Sequence, residues 1–154
     1  MSSASLPLGT QTLIFSKLYY GALTKSLEHL EVERYYSVLL LLHDRKKCCQ
    51  QHICNELMID KTAMVKVMDY LSKSGCIQKE VNPEDRREHF ISLSRKGEKA
   101  AADIKKSVKR IEKELLKGIS DDYIKAFHKV LHQLSDQVKQ MPINDLFFNY
   151  KRTK

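Results

Sequence analysis

The residues Leu71-Ser72-Lys73-Ser74-Gly75-Cys76-Ile77-Gln78-Lys79-Glu80-Val81, Asn82-Pro83-Glu84-Asp85-Arg86-Arg87-Glu88 and His89-Phe90-Ile91-Ser92-Leu93-Ser94-Arg95-Lys96-Gly97 follow one another without a break. Upstream of Gly75, the apolar set Met64, Val65, Val67, Met68 and Leu71 recurs at helical spacing. Downstream of it the period falls to two, so 76–81 and 89–94 read as short strands. Gly75 suits the join, because glycine takes the left-handed conformation that closes a helix at little cost. The polar, proline-containing segment 82–88 makes the two strands a hairpin with a charged tip.

Working outward, Asp60 reads as the N-cap of a helix over 61–74, its carboxylate accepting from free amides of the first turn. A short helix over 50–57 precedes it, with Ile53, Cys54 and Leu57 on one face. Earlier helices are expected over 33–45, built on Tyr36, Leu39, Leu40 and His43, and over 10–29. The latter carries Leu13, Ile14, Leu18, Leu23 and Leu27 with Tyr19 and Tyr20, and so little charge that burial on more than one side is expected. Beyond the hairpin, Ser94 caps a long helix through Ala100, Ala101, Ile104, Val108, Ile111 and Leu115, which Gly118 breaks. Ser120 caps a last helix over 121–140, with Ile124, Phe127, Val130, Leu131, Leu134 and Val138, and Pro142 ends it. The tail 144–154 keeps Leu146, Phe147, Phe148 and Tyr150.

The chain has 154 residues, enough for about one domain. With 42% apolar and 30% charged residues it is composed like a globular protein rather than a disordered one. Its longest apolar run, 38–42, falls far short of the ~20 residues that a membrane span needs, and residues 1–9 do not resemble a secretory signal. A cytoplasmic location is therefore expected, with Cys48, Cys49, Cys54 and Cys76 as reduced thiols. The net charge is +8. Residues 1–42 are neutral, 43–99 carry 12 basic against 9 acidic side chains, and 100–154 carry 12 against 7. A basic surplus suits a polyanion such as nucleic acid, and equally a solvated surface.

A short helix, a tight turn, a longer helix and a two-stranded hairpin make a winged helix-turn-helix, whose longer helix fits a major groove about 12 Å wide. The expected fold is mainly α with a small β-hairpin. The winged helix lies at 33–99, between flanking helices at 10–32 and 100–150, in a single unit over 1–154.

The stretch from Ile53 to Thr62, Leu71-x-x-x-Gly75, Asp85-Arg86-Arg87 and Leu93-Ser94-x-x-Gly97 together resemble the MarR (multiple antibiotic resistance regulator) family. Cys54 and Ser94 stand where that family commonly has Ala and Thr, and Asp60 where Ser is common, which reads as a cap turned inward. The resemblance implies a homodimer that binds a palindromic double-stranded DNA operator and represses nearby genes. The long flanking helices would intertwine, placing half-sites about 10 bp apart. On the recognition helix, Lys61, Thr62, Ala63 and Lys66 lie near the end that reaches base edges, and Lys73 lies at the phosphate end. Lysine donates to guanine, threonine donates or accepts, and the alanine methyl touches a thymine methyl. On the wing, Asp85, Arg86 and Arg87 stand at the tip. The resemblance implies that Arg87 enters the minor groove held by Asp85, and a narrow A·T groove attracts arginine.

Family members release DNA on a small-molecule or redox signal. Tyr19, Tyr20, Tyr35 and Tyr36 with Arg34 read as linings for a small aromatic anion, or as amphipathic core packing. Cys48 and Cys49 follow Arg45, Lys46 and Lys47, cations that favour a reactive thiolate. Cys48, Cys49, His52 and Cys54 are close in sequence, but no C-x-x-C occurs and no metal or cofactor is expected. Two other classes remain. One is a winged-helix interaction module without DNA binding. The other is an enzyme using Cys48 or Cys49 with His52, against which no nucleophile elbow or Gly-rich phosphate loop occurs.

Overall fold

The computed structural model describes residues 6–30, 35–83, 85–86 and 88–142. Its elements run α1 (Leu8–Ser26), α2 (Tyr36–Arg45), β1 (Lys47–Cys49), α3 (Gln50–Leu57), α4 (Lys61–Lys73), β2 (Ile77–Val81), β3 (His89–Leu93), α5 (Arg95–Leu115) and α6 (Asp121–Lys139). This is the expected mainly helical chain with a winged helix-turn-helix at its centre. It has one strand more than expected, since β1 joins the hairpin to make an antiparallel sheet of order β1-β3-β2. The register sets Cys48 opposite Ile91 and Lys79 opposite the same residue from the other side.

The chain divides into residues 1–111 and 112–154. In the first unit, one core gathers Leu23, Leu27, Leu39, Leu42, Ile53, Met64, Met68, Leu71, Ile91 and Ile104. Each helix of the winged region contributes a stripe at the 3.6-residue repeat. From α4 these are Met64, Val67, Met68 and Leu71, and from α5 Gly97, Ala100, Ala101 and Ile104. Such side chains contribute about 1.5–3 kcal/mol each when fully buried. Two expectations change here. Val65 belongs to the exposed side of α4, because the turn between Met64 and Met68 rotates it away from the core. Within the helix α1, only Leu23 is buried, while Leu13, Ile14, Phe15, Leu18 and Tyr20 stay exposed, so the chain's own core does not cover that face.

In the second unit, α6 starts at Ser120, whose Oγ accepts from Tyr123 N, and buries no residue. Tyr123, Phe127, Val130, Leu131 and Val138 are exposed along it. The apolar tail 144–154 lies outside the described residues.

The Leu93-Ser94-x-x-Gly97 motif acquires a physical reason. Ser94 Oγ accepts from Gly97 N at 3.0 Å and donates to the Gly75 carbonyl at 2.6 Å. Ser94 N donates to the Cys76 carbonyl at 2.9 Å. A Cβ on Gly97 would stand 1.9 Å from that same carbonyl oxygen, closer than any two such atoms approach. Gly75 itself has φ +71°, the left-handed helix end expected of it. The end of α4 is thus fastened directly to the beginning of α5.

Candidate nucleic-acid interface

The site is built on α4. Asp60 Oδ1 accepts from Ala63 N at 2.9 Å, so the carboxylate that would repel a phosphate is turned into the helix end. With Met64, Val67, Met68 and Leu71 anchored in the core, the opposite face presents Lys61, Thr62, Val65, Lys66, Asp69, Ser72 and Lys73. The structure therefore gathers Lys61, Thr62, Lys66 and Lys73 on one exposed face. Ala63 is only half exposed, with its amide held by Asp60.

The wing stands beside this helix. Lys79 of β2 faces Asp69 of α4, Nζ to Oδ1 3.8 Å. Lys47 of β1 reaches Glu80 Oε2 at 2.6 Å and lies 4.8 Å from the centre of the Phe90 ring. These contacts knit the three strands together. At the tip, Asn82 N donates to the Glu88 carbonyl and Glu88 N to the Asp85 carbonyl, while Asp85 and Arg86 are exposed. Arg87 lies outside the described residues.

Behind the helix-turn-helix, Glu56 accepts from Arg45 Nη2 at 3.0 Å and meets His52 Nε2 at 2.8 Å. The hydrogen bond from Arg45 holds the Glu56 carboxyl below its usual range and raises the Arg45 guanidinium in return. His43 Nδ1 lies 2.7 Å from Glu98 Oε2, joining α2 to the first turn of α5. The turn between α3 and α4 is closed by Met58 in the left-handed conformation, φ 51°.

The cysteines separate by burial. Burial pushes the Cys48 thiol up, and Arg45 pulls it down only as the weakest influence. As a β1 residue Cys48 is buried with the core, whatever cations precede it in sequence. Burial likewise raises Cys54, and Cys76 is fully enclosed. Cys49 is partly exposed on a cavity of about 230 Å³ shared with Gln50, Gln51, Cys54, Lys61, Glu88 and His89. No group of three or more His, Cys, Asp or Glu side chains able to hold a metal occurs among the described residues.

Tyr36 is buried in the core, Tyr19 and Tyr35 are partly buried, and Tyr20 is half exposed. Tyr19 packs edge-on against Tyr20, and Tyr35 against Tyr70 of α4. Arg34 lies outside the described residues. A second cavity, of about 460 Å³, is lined instead by Ser26 and His29 with Asp103, Lys106, Ser107 and Arg110. No helix among the described residues is long and apolar enough to cross a membrane.

Three residues of the exposed α4 face, Val65, Asp69 and Ser72, were not among the expected contacts. Valine's hydrophobicity assigned Val65 to the core, and only its angle around the helix would have placed it outside.

A helix-turn-helix whose second helix shows a polar, lysine-bearing face beside a three-stranded wing defines the winged helix-turn-helix class of fold. The pattern describing the MarR family matches residues 30–88. A curated relative, the HTH-type transcriptional regulator BilQ of Clostridioides difficile (strain CD3), is 28% identical over 101 residues, 66% of this chain and 68% of that one. A crystal structure of MarR superimposes with a TM-score of 0.77 and 25% identity over 92% of this chain and 96% of the other. A putative MarR family transcriptional regulator from Listeria monocytogenes, solved with a 26mer DNA, gives a TM-score of 0.81 at 16% identity, covering 86% and 89% of the two chains. The chain is thus similar to the MarR family of winged helix-turn-helix transcriptional regulators, over residues 30–88 in sequence and over most of its length in fold.

Proposed function

We propose that this regulator is a homodimeric repressor that binds a palindromic DNA operator and leaves it on a chemical signal. The observation that carries the reading is the α4 face. Lys61, Thr62, Lys66 and Lys73 are displayed together on a helix anchored by four core residues, with the carboxylate at its N-terminal end, Asp60, withdrawn into a cap. Lys61, Thr62, Lys66 and the Ala63 methyl address base edges, and Lys73 a phosphate. Arg86 and Arg87 take the adjacent groove, with Asp85 orienting Arg87. A structurally similar regulator from Listeria monocytogenes was solved in complex with a 26mer DNA, which supports DNA as the partner here.

The dimer reading rests on the exposed apolar side chains along α1 and along α6, which a second copy would cover. On this reading the winged region spans 33–99, and 10–32 with 100–150 carry dimerisation. The protein acts in the cytoplasm and performs no catalysis. The signal is a small aromatic anion received by Tyr19, Tyr20, Arg34, Tyr35 and Tyr36, or oxidation at the Cys48–Cys49 pair. Of these two thiols Cys49 is the accessible one.

Fluorescence anisotropy against the upstream intergenic DNA of the protein's own gene, beside a scrambled duplex at about 150 mM salt, tests the regulator. Specific binding gives a ratio of about 10³ or more over scrambled DNA. Equal, weak binding to both duplexes favours a winged-helix interaction module. Light scattering at micromolar concentration tests the dimer, and a monomer mass rejects it.

A further inference from the structure

We infer that Val65 is a specificity-determining residue that reads the C5-methyl group of a thymine in the operator. The inference rests on the DNA-binding reading of α4. Val65 is 49% exposed, on the face that also carries Lys61, Thr62, Lys66 and Asp69. Its exposure is not slack in the fold, because its neighbours Met64, Val67 and Met68 are locked into the core and fix its direction. It is the apolar member of a face whose other exposed side chains all form hydrogen bonds or carry charge.

The floor of the major groove offers donors, acceptors and one apolar group, the thymine methyl. An isopropyl group held among lysines and a threonine therefore has one complementary partner there. The lysines draw the helix toward phosphates whatever the sequence, while Val65 distinguishes thymine from every other base at the position it meets. A β-branched side chain in a helix occupies essentially one χ1 rotamer, so it loses little freedom on contact. Asp69, one turn on, is drawn toward Lys79 of the wing, which leaves Val65 unobstructed by that carboxylate.

The test begins by selecting tight duplexes from a random unmethylated library with the full-length protein. Each thymine of the best duplex is then replaced singly by deoxyuridine, which removes the methyl and leaves every hydrogen bond. Wild-type protein is expected to lose about fourfold in affinity at the thymine that Val65 meets in each recognition-helix footprint, the effect of one buried methyl, and a loss at a thymine under Ala63 is told apart because Val65→Ala leaves it in place. Val65→Ala should bind the thymine duplex about as weakly as wild type binds the deoxyuridine duplex, and show no further loss at that position. Val65→Thr, with similar shape but one methyl exchanged for hydroxyl, should lose most of the discrimination while melting near the wild-type temperature. Equal affinity of wild type for all deoxyuridine duplexes overturns the inference, as does a Val65→Ala protein that keeps the full penalty. If wild type prefers no duplex over scrambled DNA, the regulator reading falls and this inference with it.

Discussion

One added methyl group at Gly97 should unfasten the recognition helix from α5. The Cβ of Gly97→Ala would lie 1.9 Å from the Cys76 carbonyl oxygen, 3.0 Å from its carbon and 3.2 Å from Leu93 Cδ2. Carbon approaches a carbonyl oxygen comfortably at about 3.3 Å, so the first turn of α5 must retreat by roughly 1.4 Å. The obstacle is backbone and cannot rotate away. That retreat stretches the bond from Ser94 N to Cys76 O, now 2.9 Å, and the one from Ser94 Oγ to Gly75 O, now 2.6 Å. Overpacking costs about 1–3 kcal/mol and two weakened hydrogen bonds about 1–3 together, offset by about 1 kcal/mol from alanine's better helix propensity. The net loss is about 3 kcal/mol, which in a chain of this length lowers the melting temperature by roughly 10 °C. Ser94→Ala loses the cap and the bond to Gly75 without the clash, and should cost about 0.5–2 kcal/mol. Melting by circular dichroism at one fixed protein concentration measures both, since an oligomer's Tm depends on concentration. A Gly97→Ala protein that melts with the wild type would refute the reasoning.

Arg87→Ala should weaken operator binding by about 1–3 kcal/mol in an anisotropy titration with no change in Tm, and unchanged affinity removes the wing from the interface. Raising salt from 50 to 200 mM should lower the affinity by about 10³-fold if six phosphates are neutralised, and a flat salt response refutes a phosphate-bound α4. Glu56 is held below its usual range by Arg45, so its contribution to stability is complete above the ordinary value of 4.5 and disappears as pH falls below it. Glu56→Gln should therefore flatten the acid limb of the stability profile relative to wild type, as read by urea midpoints from pH 6 downward. Cys49→Ser should bind DNA normally in reducing buffer. If a peroxide treatment that releases wild type from DNA also releases this variant, the accessible thiol is not the sensor.

The winged region was legible because its signals are local and backbone-driven. Asp60 caps α4, Gly75 is left-handed and Ser94 caps α5, each as its residue type requires. Strand β1 was not legible, because Lys47-Cys48-Cys49 is too short to show a period and forms only by pairing with Phe90–Ser92, some forty residues away. With it came the burial of Cys48, which pairs with Ile91 and lies in the core. Val65 shows the opposite failure. Hydrophobicity suggested burial, whereas helical angle decides exposure. The apolar sequence of α1 similarly announced a face to be covered without saying that the chain's own core would leave it open.

The third strand also sets how the wing bends. Strand β1 supports β3 at Phe90, Ile91 and Ser92, the middle of that strand, while at the two ends of the hairpin Ile77 pairs with Leu93 and Val81 with His89 without it. The third strand and the Lys47–Glu80 ion pair therefore brace the wing to within one residue of the end of its strands. Minor-groove width varies with sequence and with bound ions. A sheet braced that far out holds the wing at one place beside α4, so that fitting a groove of varying width would fall to side chains beyond the strands rather than to bending of the sheet.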